Sequence, residues 1–182
     1  MSDISLNQQL FQFEHWLDKL TNKYHLERVA PWAFVLSPNN KEHDVTSIKD
    51  KSIALTLMAI THGNEAEGVA VLTECLKTLA GGIITLTQPI ALILGNVPGY
   101  LQGKRFIHRD LNRSFNMKNP EGLEPQRAQE LSALLKKTAF LLDIHQTIEP
   151  CRSPFFIFPY TKSGFTFARG IHNSLPVVTH WG

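Results

Sequence analysis

The sequence has no apolar run approaching the ~20 residues that a membrane-spanning helix needs. Its first residues, Met-Ser-Asp-Ile-Ser-Leu, lack the basic start and apolar core of a secretory signal. Cysteine is scarce: Cys75 and Cys151 are the only two, and neither belongs to a Cys-x-x-Cys pair. A disulfide framework is thereby excluded, and free thiols in a reducing compartment are expected. Charge of one sign is lacking too. A net charge of +2 leaves no electrostatic footprint for nucleic acid or a membrane surface. There is no low-complexity tract and no internal repeat. What remains, 182 residues with 43% hydrophobic and 19% charged side chains, is enough to bury its own core. The expectation is a cytoplasmic α/β domain.

The chain is organised around Ile53-Ala-Leu-Thr-Leu-Met-Ala-Ile60, an apolar run that stops abruptly at Thr61-His62-Gly63-Asn64-Glu65. Such a run, bounded by a turn signal, reads as a strand buried on both faces, as in parallel sheets. Ligands of open α/β sheets bind outside the carboxyl ends of these strands, where His62 and Glu65 would stand.

Around it, Leu6, Leu10, Phe13, Leu17, Leu20 and Tyr24 recur at helical spacing, predicting an amphipathic helix over 6–24 with His15 on its polar face. Val29 to Leu36 reads as a first strand, Ser37 to Asn40 as a turn, and Lys41 to Lys51, with His43, as a polar connection. A helix over 66–79 stops at Gly81-Gly82, and short strands are predicted at 83–86 and 90–94. A charged irregular stretch runs over 104–115. A helix follows at 125–138, then an apolar strand at 139–144 halted by His145. The last elements are a strand at 155–158, a helix at 164–173 and a strand beginning at 176–179. Strands alternating with helices predict an α/β fold around a mixed, largely parallel sheet flanked by helices.

Two clusters carry chemistry. His62-x-x-Glu65 offers a nitrogen and a carboxylate, and His145 ends a separate strand. Two His and one Glu with an open fourth position is a catalytic zinc set. No His-Glu-x-x-His pair is present, so the helical thermolysin pattern is excluded and the carboxypeptidase arrangement is left. A plainer reading stays open: His62 caps a turn, Glu65 starts a helix where the dipole favours an acid, and His145 is a hydrogen-bonded loop residue. The second cluster, Lys104 to Arg113, is rich in arginine, whose planar fork suits carboxylates and oxyanions. It also reads as a solvated basic loop.

Thr61-His62-Gly63-Asn64-Glu65, then Arg105 leading to Asp110-Leu111-Asn112-Arg113, then Asp143-Ile144-His145 resemble the succinylglutamate desuccinylase and aspartoacylase family, relatives of the zinc carboxypeptidases. The resemblance covers most of the chain from Ile53 onward. It implies a zinc-carboxypeptidase-like (phosphorylase/hydrolase-like) domain spanning 1–182. Residues 1–50 would add a helix, strand and connection, and residues 53–182 would form the zinc-site core. It implies Zn2+ held by His62, Glu65 and His145, with Arg105 polarising the acyl carbonyl and steadying its oxyanion. Asn112 and Arg113 would grip a substrate carboxylate. Asp143, two residues from His145 on one strand face, is expected to support the ligands; His108 and Arg109 match no family role. The implied reaction is hydrolysis of an N-acyl amino acid, a small-molecule partner, with a homo-oligomer allowed. A metallocarboxypeptidase and a non-catalytic metal-binding or interaction module are the alternatives. The family's general-base glutamate, well downstream of the last ligand, has no counterpart. The sole acid after His145 is Glu149, which reads as a solvated loop carboxylate. The chain is therefore expected to be the N-terminal, zinc-binding portion of a longer enzyme, able to bind metal but turning over poorly alone.

Overall fold

The structure, a computed structural model, describes residues 5–39 and 52–180. The polar connection expected over 41–51, with its His43, lies outside the described residues. The chain divides into two units, Met1–Gln146 and Thr147–Gly182.

The first unit opens with helix α1 (Leu6–Lys19). Ser5 and Gln8 close a capping box at its start, each side chain accepting from the other's backbone N–H. A 3-10 turn over Leu20–Asn22 ends the helical stretch, and Tyr24 already belongs to a strand. The single strand expected over 29–36 is instead a hairpin of β1 (Tyr24–Ala30) and β2 (Ala33–Pro38), paired antiparallel. The cause is Pro31-Trp32. Proline fixes its own φ, and Trp32 takes a left-handed φ of 54°, so the chain reverses between the paired residues Ala30 and Ala33.

Strand β3 (Ile53–Ala59), helix α2 (Glu67–Ala80), strand β4 (Ile90–Leu94), the short helix α3 (Val97–Leu101), helix α4 (Leu123–Lys136) and strand β5 (Thr138–Ile144) complete this unit. The sheet runs β1-β2-β4-β3-β5, antiparallel across β1, β2 and β4 and parallel where β3 joins β4 and β5. The mixed sheet matches the expected class. The strand predicted over 83–86 does not form. Ile83 and Ile84 are exposed, and the Leu86 N–H donates to the Tyr24 hydroxyl at 3.2 Å rather than to a ladder. Four residues after a Gly-Gly turn find no neighbouring strand to pair with.

Strand alternation separates two cores. Phe34, Leu36, Leu92 and Leu94 pack with Phe13 and Leu17 of α1 and with Leu72 and Leu76 of α2. Ala33, Val35, Ala91 and Ile93 point the other way, against Ala128, Leu131 and Leu134 of α4. Arg127 fixes α4 at the end of β4, donating to the Leu94 and Gly95 carbonyls at 3.0 Å each.

The second unit is smaller. Strands β6 (Phe156–Pro159) and β7 (Val177–His180) pair in parallel and are joined by helix α5 (Lys162–Ile171), which Thr161 caps through the Gly164 N–H. Among the described residues, no helix is long and apolar enough to cross a membrane.

Gly63, in the turn after β3, lets two backbones meet. Its N–H donates to the Arg105 carbonyl, and an added Cβ would fall 2.2 Å from Gly99 C and Tyr100 N. Gly63→Ala is expected to cost about 1–3 kcal/mol in urea unfolding, the usual penalty of forced overpacking. Gly170→Ala, whose Cβ meets nothing within 4 Å, should stay within about 1 kcal/mol of the wild type.

Candidate metal centre

The register of β3 with β5 builds the site. Met58 lies opposite Asp143 and Ala59 opposite Ile144, so the two strands end side by side and release Thr61-His62 and His145 at the same rim. Ile60 turns the chain there with a φ of 49°, a rare conformation for a β-branched residue, while its side chain is fully buried. A turn closed by the Glu65 N–H on the His62 carbonyl then brings the Glu65 carboxylate back over the strand end.

That carboxylate stands between two imidazoles. Its Oε1 is 2.7 Å from His62 Nδ1, and its Oε2 is 2.9 Å from His145 Nδ1. The rings lie 4.9 Å apart between centroids. His62 and Glu65 are buried, whereas the His145 side chain retains 34% exposure and is reachable from solvent. The Gln146 N–H donates to Glu65 Oε2 at 3.1 Å. The far nitrogens of both rings also face carboxylates. His145 Nε2 is 2.8 Å from Asp143 Oδ2, and His62 Nε2 is 3.3 Å from Asp110 Oδ1. Asp143 is steadied by the Thr61 hydroxyl, which donates to its two oxygens at 2.8 and 2.9 Å.

Arg105 reaches this cluster as well. Its Nη2 lies 2.8 Å from His62 Nε2 and 3.4 Å from Asp110 Oδ2, and its Nη1 lies 3.7 Å from Glu65 Oε1. Asp110 also accepts from the Asn112 N–H at 2.9 Å, which caps the 3-10 turn Leu111–Arg113. Burial acts against the Asp110 charge, but His62, the Asn112 N–H and Arg105 outweigh it and hold this carboxyl below its usual value. The hydrogen bond from His145 to Asp143 raises the His145 pKa, against burial and with help from the Asp143 and Glu65 charges.

One ligand atom from each of His62, Glu65 and His145 lies within 4.8 Å of the others, so the three can hold a metal ion. Their chemistry fits zinc: two imidazoles, one carboxylate, and a second carboxylate behind each ring, the outer support common for metal-bound histidines. Arg105 and Arg113 line a cleft of about 390 Å3 together with Phe106, His108, Arg109 and Asp110. Asn112 is exposed and contributes its backbone N–H to Asp110. Glu149 is likewise exposed in the second unit.

Three supporting residues had no assigned role in the sequence. Asp110 stands inside the Asp110-Leu111-Asn112-Arg113 motif, in which only the Asn112 and Arg113 side chains carry an implied role. Thr61 looked like the last residue of a strand. Glu124 stands one residue before the helix expected over 125–138 and lies in the first turn of α4. Its buried carboxylate accepts from the Ile107, His108 and Arg109 N–H groups.

The two imidazoles and the carboxylate stand together at the rim of a mixed sheet, and sequence comparison identifies the family. Residues 51–180 match the model of the succinylglutamate desuccinylase/aspartoacylase catalytic domain, and the chain belongs to this family. The succinylglutamate desuccinylase of Pseudomonas paraeruginosa is 30% identical over 131 residues, which are 65% of this chain and 40% of that protein. The chain thus spans about two fifths of the length of that relative. The crystal structure of succinylglutamate desuccinylase from Chromobacterium violaceum superposes with a TM-score of 0.58 at 22% identity, covering 84% of this chain and 51% of the other. Bovine thrombin-activatable fibrinolysis inhibitor, solved in complex with tick carboxypeptidase inhibitor, gives a TM-score of 0.61 at 16% identity over 98% of this chain and 76% of its own. These two likenesses establish the shared fold.

The raised His145 pKa sets two opposite pH dependences. Its contribution to metal-free stability is complete below the unfolded value of about 6.5 and is lost as pH rises through the higher folded value. If His145 is a metal ligand, zinc affinity should run the other way, falling as pH drops through that folded value, because a bound imidazole must shed its proton. Chelator competition across this range is the check; a flat profile would contradict the ligand assignment.

Proposed function

We propose that this domain supplies the metal site and the oxyanion donor for zinc-dependent hydrolysis of the amide bond of an N-acyl amino acid. His62, Glu65 and His145 are the zinc ligands. The observation that carries the reading is the convergence of these three side chains on one point at the carboxyl ends of β3 and β5, with Arg105 against them. Zinc held there would supply a Lewis acid that turns water into a nucleophile at neutral pH. The family relationship supports the choice of a linear amide.

The chain's own residues then bind the substrate, orient the ligands and stabilise charge. Arg105 presents its guanidinium at the cluster edge, and its donors stabilise negative charge developing on the acyl oxygen. Asp110 holds this guanidinium from the other side, and Asp143 and Thr61 keep the His145 ring aimed at Glu65. Arg113 and Asn112 grip the substrate carboxylate, for which the arginine-lined cleft is complementary. Burial of His62 and Glu65 excludes water from one side of the cluster and strengthens each charge–dipole contact there.

His62→Ala and His145→Ala are each expected to abolish stoichiometric zinc uptake in elemental analysis. Arg105→Ala should retain zinc and lower kcat on the order of 10²–10³-fold, the effect of deleting one oxyanion donor. Release of amino acid from N-succinyl and N-acetyl amino acids, compared with C-terminal cleavage of dipeptides, tests the substrate class. Preferential dipeptide cleavage would replace the deacylase reading with a carboxypeptidase one. Zinc retained in both histidine variants would remove the metal centre.

A further inference from the structure

We infer that Glu124 is a positioning residue: its buried carboxylate fixes the backbone of the 105–113 loop and thereby places Arg105 and Arg113 in the cleft. Glu124 is 1% exposed. Its Oε1 accepts from the Ile107 N–H at 2.6 Å and from Asn96 Nδ2 at 3.1 Å. Its Oε2 accepts from the His108 N–H at 3.0 Å and the Arg109 N–H at 3.2 Å. Three consecutive backbone N–H groups therefore converge on one anion supplied from another part of the chain. These residues lie between Arg105 and the Asp110–Arg113 turn.

An acid serving only the helix dipole would remain solvated in the first turn, and its partners would be α4's own N–H groups. Glu124 gives its oxygens mainly to donors outside α4. Burial would push its pKa up, but the N–H groups of Ile107, His108, Glu124 itself and Arg109 outweigh that and hold it below the ordinary carboxylate value. The surrounding polypeptide is anchored in turn. Asn96 caps α3 through the Gly99 N–H, Arg127 ties α4 to the end of β4, and the Leu123 N–H donates to His108 Nδ1. The middle of the loop is held by this charge, while Leu111 near its end packs into the core beside Ala128 and Leu131.

The electronic requirement is specific. Both oxygens receive two donors each, so an amide in either orientation turns its NH2 toward one pair of them. Glu124→Gln preserves shape but leaves donors unsatisfied, whereas Glu124→Asp preserves the charge on a shorter stem. Part of the consequence rests on the arginine cleft being the carboxylate-binding site proposed above; the loop restraint itself does not.

The test uses the whole protein, with succinate dianion as the probe and zinc content as an independent readout. Glu124→Gln is expected to keep zinc at wild-type stoichiometry and to bind succinate on the order of tenfold more weakly. Amide exchange at Ile107, His108 and Arg109 should accelerate by a similar factor, and Glu124→Asp should restore part of both. Exchange rates at these three amides within about twofold of wild type would overturn the inference. So would parallel loss of zinc, succinate binding and protection across β3, which marks a general structural role. If the wild type does not bind succinate, the substrate reading fails while the exchange comparison still decides the role of Glu124. If Glu124→Gln does not fold, wild-type exchange across a falling pH decides it. Protection at 107–109 lost before that of β3, in step with carboxyl protonation, supports the restraint; protection independent of that protonation refutes it.

Discussion

A single carboxylate, that of Glu65, lies between two imidazoles that the parallel pairing of β3 and β5 brings together. The site depends on this register. Because Ala59 stands opposite Ile144, His62 and His145 leave the sheet at the same level. A shift by one residue would turn Asp143 away from Thr61 and carry His145 to the opposite face. The register is itself held by the core. Thr56 and Thr138 share a buried hydrogen bond of 2.7 Å between these strands, and the side chains of β3 alternate between the layers under α2 and α4.

Electrostatics explains why so many charges are tolerated at this rim. Two imidazoles, three carboxylates and one guanidinium lie within a few contacts of one another. No described side-chain polar atom that is buried lacks a hydrogen-bond partner. Glu65 links the two rings, Asp143 and Asp110 stand behind them, and a further carboxylate, that of Glu124, holds the loop carrying Arg105. Removing one member would strand the others in a poorly solvated place, so single substitutions should have larger effects than the individual hydrogen bonds suggest.

Much of this was legible in the sequence because the signals were local and strong. The apolar run ending at Thr61-His62 and the one ending at His145 predicted two strand ends, and the order of the motifs linked them. The helices over 6–19, 67–80 and 123–136 followed from apolar spacing, with ends displaced by a few residues. Where the reading missed, a tertiary constraint decided. Pro31-Trp32 reversed an apolar stretch into a hairpin, and Ile83-Ile84 lacked a partner despite strand-like composition. Glu124 could not be found from pattern alone, since its partners lie far earlier in the chain and are mostly backbone groups common to every sequence.

The central proposal is that two histidines and one glutamate share a zinc ion. X-ray absorption at the zinc edge of the reconstituted protein measures this directly. The account predicts a shell of nitrogen and oxygen at about 2.0–2.2 Å with the outer scattering of two imidazoles. A sulfur shell at about 2.3 Å, or a spectrum without imidazole scattering, would contradict it.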